Sequence, residues 1–390
     1  MRKREQAEMT IPETMTAMTL IGHGGPEKLV LRHDMPVPRP GPGEVLLRVS
    51  ACGMNNTDIK VREGSYGAED DPEAVSSWRA RAGEESTLQF PRIQGTDTVG
   101  RVVAVGEGVP ESRIGERVMV DFCIYNRPEG DNSLADIDYY GHGRDGGFAE
   151  YMVAESGNVY SVKSDLDDAE LATFSCAYQT GEHMLQRAGV NAGESVLITG
   201  AAGGVGSGLI QLCRARGAVP YAITSRGKEQ PLLDLGAEAA IPRQDFQSAD
   251  GGTDEAAFIA TVERAMKGRD VDVVADLVGG DMFNGLLRLL RPEGRYTTAG
   301  TIGGAVVPLD TRTLYLKHLQ LHGSSQGTRD DFRRLVGYIE AGKIKSILSR
   351  AYKLSDLRQA QADFVSKNYV GKLVVVPDSK WQEVGQHHAG

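Results

Sequence analysis

Two stretches of the chain hold residue types whose spacing could do chemistry. The first is "SVLITGAAGGVGSGLIQL", beginning at Ser195. A short apolar run ends at Thr199, a glycine-rich turn follows, and a helical pattern begins near Val205. Gly200, Gly203, Gly204 and Gly206, with Ala202 and Val205 between them, let the backbone turn tightly and approach a pyrophosphate, whose charge is met by helix N-terminal amides. The spacing departs from strict G-x-G-x-x-G, so the surrounding strand–turn–helix carries the reading. The next strand ends in "AITSRGKEQ". An enzyme that takes NAD usually places Asp or Glu there, against the ribose 2′-hydroxyl. Ser225, Arg226 and Lys228 would instead pair with a 2′-phosphate, which favours NADPH; the alternative is a solvated turn. The second stretch is "VSACGMNNTDIKVREGSYG", Val49 to Gly67. It raises the question of whether Cys52 belongs to a metal site. The four cysteines, Cys52, Cys123, Cys176 and Cys213, never form a C-x-x-C pair, which excludes a four-cysteine zinc knuckle and fits a reducing compartment.

The elements that must position these residues have two textures. Residues 15–164 are short apolar or alternating runs broken by Gly and Pro, such as "EVLLRVS", "TVGRVVAVG" and "GERVMVD", which predict an antiparallel, barrel-like domain. Within it, residues 67–89 read as a polar surface insertion, either a lid or a plain loop, and "YYGHGRDGGFAEY" reads as a solvent loop or, alternatively, a segment lining the cleft. Residues 165–325 alternate apolar β-branched runs with amphipathic helices, which predicts a doubly wound parallel sheet. Residues 326–377 return to complete the first domain; residues 1–14 read as a flexible leader and 378–390 as a loose tail. The fold class is therefore α/β. With 390 residues there is chain enough for two cores, and a net charge of −10 argues against a nucleic-acid or anionic-membrane surface. No apolar run reaches the ~18 residues needed to span a bilayer. These features predict a cytoplasmic protein acting on a small molecule.

In order along the chain, "PVPRPGPGEVLLRVSACGMNNTDIKVREGSY", "FPRIQGTDTVGRVVAVGEGV", "GGFAEYMV", "CAYQTGEHML", "LITGAAGGVG" and "GKLVVVP" resemble the medium-chain dehydrogenase/reductase superfamily, and within it the zinc-free quinone oxidoreductases. The resemblance covers residues 16–377. It implies a GroES-like catalytic domain, a Rossmann cofactor domain, a cleft between them and a homodimer joined near "LYLKHLQLHGSS". Zinc-dependent members run G-x-C-x-[ST]-D; here Gly53, Thr57 and Asp58 match, but the ligand position is Asn55. The G-H-E triplet is Gly95, Thr96, Asp97, and of the three ligands only Cys176 matches. The resemblance thus implies no metal, with a site helped by His142 as the exception left open. It implies Asn55 and Tyr66 as hydrogen-bond donors to a substrate carbonyl, and Thr57 at a proton-relay position. It places Thr180 by the nicotinamide ribose, Val278 and Gly279 by the adenosine, Gly300, Thr301 and Ile302 by the nicotinamide, and Ser324, Ser325 and Lys372 near the cofactor, although Lys372 could equally be a surface lysine. The expected activity is NADPH-dependent hydride transfer to a quinone or α,β-unsaturated carbonyl; an alcohol dehydrogenase with a vestigial zinc site and a non-catalytic NADPH-binding protein are the alternatives.

Overall fold

The structure is a computed structural model that describes residues 11–64, 88–125, 130, 133–134 and 137–389. Tyr66 and nearly all of the 67–89 insertion lie outside the described residues. The chain divides into two units: Met1–Cys176, Leu348–Asn368 and Lys372–Gly390 form the first, and Ala177–Ile347 with Tyr369–Gly371 the second.

The first unit is mostly antiparallel sheet. Strands β1 (Thr14–Leu20), β2 (Leu29–Pro36), β3 (Glu44–Gly53), β4 (Arg92–Ile93), β5 (Asp97–Val105), β6 (Arg117–Val120), β7 (Cys123–Tyr125), β8 (Ile137–Tyr139), β9 (Tyr151–Glu155) and β10 (Val159–Ser161) follow one another, with helix α1 (Asn56–Glu63) after β3 and α2 (Asp168–Leu171) after β10. Strand β3 is the hub. It pairs with β5 and β9, and its inward residues Val45, Leu47 and Val49 pack with Val102, Val118 and Val120 in one core. Alternation of buried and outward side chains along such strands is what the period-2 sequence pattern encodes.

The second unit begins within helix α3 (Ser175–Arg187). It continues β11 (Ser195–Ile198), α4 (Gly204–Ala215), β12 (Val219–Thr224), α5 (Glu229–Asp234), β13 (Ala239–Pro242), α6 (Glu255–Met266), β14 (Val271–Asp276), α7 (Phe283–Leu289), β15 (Leu290–Thr298), α8 (Thr311–Leu316), β16 (Gln320–Gly323) and α9 (Arg329–Glu340). The six strands lie in the order β13-β12-β11-β14-β15-β16, every pair parallel. The order reverses between β11 and β14, the place where doubly wound sheets open a crevice for ligands. A core of Leu197, Val274, Phe258, Val262, Leu286 and their neighbours fills one face. The fold is thus GroES-like plus Rossmann-like, as the resemblance implies, and its antiparallel and doubly wound parallel parts follow the two sequence textures.

The chain then returns to the first unit. Strand β17 (Leu348–Lys353), helix α10 (Leu357–Ser366) and strand β18 (Lys372–Val376) follow, and β18 inserts antiparallel beside β3. Three boundaries differ from the sequence expectation. Residues 165–176 stay with the first unit, because α2 packs so closely on β3 that a Cβ on Gly53 would lie 2.1 Å from the Ala172 carbonyl oxygen. Helix α9 belongs to the second unit, where Asp331 pairs with His183 Nδ1 at 2.8 Å. The expected loose tail instead forms short helical turns on β17 and β18, with Val384 buried and His388 Nε2 2.5 Å from Asp167 Oδ2. The "YYGHG" segment is no solvent loop either: Tyr139, Tyr140 and His142 are buried, and His142 stacks on Tyr139 with ring centroids 4.9 Å apart.

Candidate functional site

In the first unit the site is assembled where β3 ends. Asn55 takes extended backbone (φ −134°) at the N-terminus of α1, and its N–H donates to the Asp58 carboxylate at 2.7 Å. Asn at the cap and an acid three residues on are strong helix-start signals, since they satisfy orphan backbone donors. Gly64, in the left-handed region, closes the helix. Two strands then bring partners to Asn55. In the β3–β5 register Gly53 faces Asp97; in the β3–β18 register Val374 faces Gly53, and the Met54 N–H donates to the Leu373 carbonyl at 2.9 Å, which brings the start of β18 to Asn55.

The result is a buried polar network. The Lys372 ammonium donates to Asn55 Oδ1 at 2.6 Å and to Asp97 Oδ2 at 2.7 Å. Asn55 Nδ2 donates to Thr96 Oγ1 at 2.7 Å, Thr96 Oγ1 donates to Asp97 Oδ1 at 2.9 Å, and the Cys176 backbone N–H donates to the same oxygen at 3.0 Å. Lys372, Asp97 and Thr96 are essentially inaccessible; Asn55 keeps 8% of its surface exposed. An ammonium has donors only, so the atom of Asn55 facing Lys372 must be the amide oxygen. The amide orientation is therefore dictated by chemistry: Nδ2 points away from Lys372, and one of its two hydrogens has no partner among the described residues. Asp58 lies close by, and its carboxyl is pushed up to about 7, chiefly by burial and further by the Asp97 charge, against the pull of the Asn55 N–H. The Lys372 ammonium pairs with Asp97 and not with Asp58, so the buried Asp58 carboxyl has no cation bonded to it to oppose the rise. Cys52 is a buried packing residue whose thiol is pushed well up by burial and by the charges of Asp97 and Asp58. Thr57 is half-buried in the first turn of α1.

The residues at the family's metal-ligand positions do not fit a catalytic zinc. Asn amide and Thr hydroxyl are poor zinc donors, and here Asn55 Oδ1 and Asp97 Oδ2 are both committed to the Lys372 ammonium. Among the described residues no three His, Cys, Asp or Glu side chains gather as a metal-holding group. His142 does not join Cys176 and Asp97; it bonds Asp138 at 3.2 Å. Lys372 is deeply buried and no surface lysine. Sequence reasoning missed the Asp97–Lys372 pair, whose only trace was a charged residue beside "GT" and another opening "KLVVV".

In the second unit the glycine-rich turn fits a dinucleotide. Gly200 has φ +58°, and a Cβ added to Gly206 would sit 2.5 Å from the Gly200 carbonyl oxygen, so the first turn of α4 lies against the glycine-rich turn as closely as glycine permits. A Cβ on Gly203 would meet nothing nearer than 3.5 Å, which leaves open space where Gly203 and the N-terminal amides of α4, with Ala202, Gly204 and Val205, can take a pyrophosphate. Asp276 holds the strand ends together: it accepts from Thr199 Oγ1 at 2.5 Å, from Tyr296 OH at 2.6 Å and from the Val278 and Gly279 backbone N–H groups. Thr224 and Ser324, after or at the ends of β12 and β16, keep buried hydroxyls with no partner among the described residues, polar atoms a ligand can satisfy. Thr180 is buried in α3; Gly300, Thr301, Ile302 and Ser325 lie in the turns after β15 and β16, where Ile302 is 69% exposed. Ser225 and Arg226 follow β12. Arg226 pairs with Asp245 at 2.6 Å, and Lys228 donates to the Tyr369 carbonyl at 3.0 Å.

Residues 41–164 match the alcohol dehydrogenase GroES-like domain, and residues 204–341 the zinc-binding dehydrogenase domain. The crystal structure of a Sinorhizobium meliloti 1021 protein, assigned only provisionally as an alcohol dehydrogenase, is 62% identical, with a TM-score of 0.88 over 97% of this chain and 100% of that one. Quinone oxidoreductase of Rattus norvegicus is 27% identical over 93% of this chain and 98% of its own length. An NAD-dependent alcohol dehydrogenase of Sulfurisphaera tokodaii is 26% identical over 93% of this chain and all of its own. With the barrel-like unit, the doubly wound unit and the glycine turn in place, these full-length matches settle the family: the chain belongs to the medium-chain dehydrogenase/reductase superfamily of oxidoreductases.

Proposed function

We propose that the protein is an NADPH-dependent, zinc-independent reductase of quinones or α,β-unsaturated carbonyl compounds. One observation carries the reading: at the position where a metal-dependent relative would need a ligand, the Lys372 ammonium fixes Asn55 as a hydrogen-bond donor. A bound reduced nicotinamide supplies hydride. A conjugated acceptor spreads the incoming negative charge toward its oxygen, so it needs a donor and a dry environment more than a Lewis acid. The uncommitted Nδ2 hydrogen of Asn55 is suited to bond that oxygen, and Tyr66 is the second donor the sequence offers. Thr57 stands in the same helix turn at the relay position. Solvent protonates the product, since the buried Lys372 is held in its ion pair with Asp97.

The cofactor contacts proposed are the glycine turn, Thr180, Val278, Gly279, Gly300–Ile302, Ser324 and Ser325, with the 2′-phosphate met at the basic edge of the sheet where β12 ends; Lys372 acts through Asn55 instead of touching the cofactor. No described helix is long and apolar enough to cross a membrane, and we place the protein in the cytoplasm. It forms a homodimer through the open edge of β16, beside which Tyr315, Leu316 and Leu321 are exposed.

The test is NADPH consumption across quinones, enones, enoyl thioesters, simple aldehydes and ketones, with and without a strong chelator, alongside elemental analysis. Turnover of conjugated acceptors unaffected by chelation, with far less than one zinc per chain, is expected. Stoichiometric zinc lost together with activity, or turnover confined to simple aldehydes and ketones, would overturn the proposal.

A further inference from the structure

The basic residues after β12 do not share equally in the charge available to a ligand. Arg226 is the obvious reader in sequence, yet its guanidinium sits 2.6 Å from Asp245 Oδ1 and its backbone N–H is tied to Gln244 Oε1 at 2.8 Å. That exposed ion pair is weak and would open at little cost, but opening it does not remove Asp245. A phosphate docking at Arg226 meets a carboxylate within a few ångströms, and the two protein charges cancel.

The neighbouring strand offers a different cation. In the parallel β12–β13 ladder Thr224 faces Pro242, so the next residues, Ser225 and Arg243, emerge side by side at the same edge of the sheet. Adjacent strands run about 4.8 Å apart. The Arg243 side chain is exposed and makes no hydrogen bond or ion pair among the described residues. It is also near enough to Lys228 to lower that ammonium's pKa, after the larger effect of partial burial. Two like charges thus lie near one another, and Asp245, in the same turn as Arg243, is bonded to Arg226 instead. Such a pair is repulsive alone and is relieved by a dianion.

We infer that Arg243, beside Ser225 and Lys228, is the residue that reads the 2′-phosphate of the cofactor, and that Asp245 disqualifies Arg226 from that role. The inference rests on the NADPH reading above and adds to it the residue that makes the choice. A guanidinium is suited to it, because its fork takes two phosphate oxygens at once.

The probes are adenosine 2′,5′-bisphosphate and AMP, titrated calorimetrically into the full-length protein, so that neither substrate nor turnover enters the measurement. Wild type should bind the bisphosphate at least tenfold more tightly than AMP. Arg243→Ala should reduce that ratio about tenfold while AMP affinity and the melting temperature hold; Arg226→Ala should change it less than threefold. In the Arg243→Ala background, Asp245→Asn should recover part of the ratio by releasing Arg226. A ratio that collapses in Arg226→Ala and survives in Arg243→Ala overturns the assignment. No recovery with Asp245→Asn overturns the role given to Asp245. A wild-type ratio near one defeats the NADPH reading itself, an outcome distinct from both.

Discussion

Lys372 and Asn55 are 317 residues apart in sequence and 2.6 Å apart in space. Replacing Lys372 with Met strands the Asp97 carboxylate in a buried place, which costs about 3–5 kcal/mol of stability. It also frees the Asn55 amide to turn over. Lys372→Met should therefore lower the melting temperature and the turnover number together, whereas adding Asp97→Asn should restore stability without restoring turnover; full recovery of turnover in the double variant would show that Lys372 only balances charge. Asn55→Ala should cut single-turnover hydride transfer about 100-fold with the NADPH dissociation constant nearly unchanged, and Asn55→Asp should be worse because a carboxylate donates nothing. Asp58 adds a pH signature. Its carboxyl, pushed up to about 7 from an ordinary 3.8, binds a proton in the native state that the unfolded chain has already released between about pH 4 and 7. That contribution is complete below pH 4 and fades as pH rises through 7, by roughly 4 kcal/mol at most. Asp58→Asn should flatten the decline in denaturant midpoint between pH 5 and 8; an unchanged slope would show Asp58 ionised throughout. Asn55 was legible in the sequence because its place in a motif is local. Its orienting lysine was not, because strand register between distant segments leaves no local mark.

Element by element, the parallel sheet was the most readable part. Strands covered on both faces read as unbroken apolar runs, and "SVLI", "VDVVAD" and "VPYAIT" lie where that pattern put them. The failures share a cause. Helix α9 is amphipathic, with Phe332, Leu335, Val336 and Ile339 buried, but an apolar stripe does not say which core it covers. The tail carried too few apolar residues to announce that Val384 and Trp381 would find a surface. Within the sheet, the tightest contact is the one at the glycine turn. Gly206→Ala must push its methyl against the Gly200 carbonyl oxygen and the Ala201 Cα, 2.5 and 2.6 Å away, so α4 has to shift off β11. A loss of about 1–3 kcal/mol in stability is expected, with a larger, separately measurable loss of dinucleotide affinity. Unaltered binding in a stable Gly206→Ala protein would remove the turn from the cofactor site.

For the molecule as a whole, the composition announced two cores but not how the chain is shared between them. The first unit is discontinuous: most of it is spent before residue 177, and it is finished only when β18 arrives. In the second unit, Leu316→Glu on the exposed patch beside β16 should turn the proposed dimer into a monomer in sedimentation with the melting temperature unchanged; a variant that stays dimeric would place the interface elsewhere. The late arrival of β18 also bears on how the protein is made. Ribosomes add about 5–20 residues per second, so roughly 16 to 63 s separate the emergence of Asn55 from that of Lys372. Through that interval β3 lacks a central neighbour and Asp97 has no counter-ion, while the compact stretch 177–347 can already be folding. The nascent first unit therefore carries an unpaired strand edge and an uncompensated carboxylate until β18, the last of the described strands, leaves the tunnel.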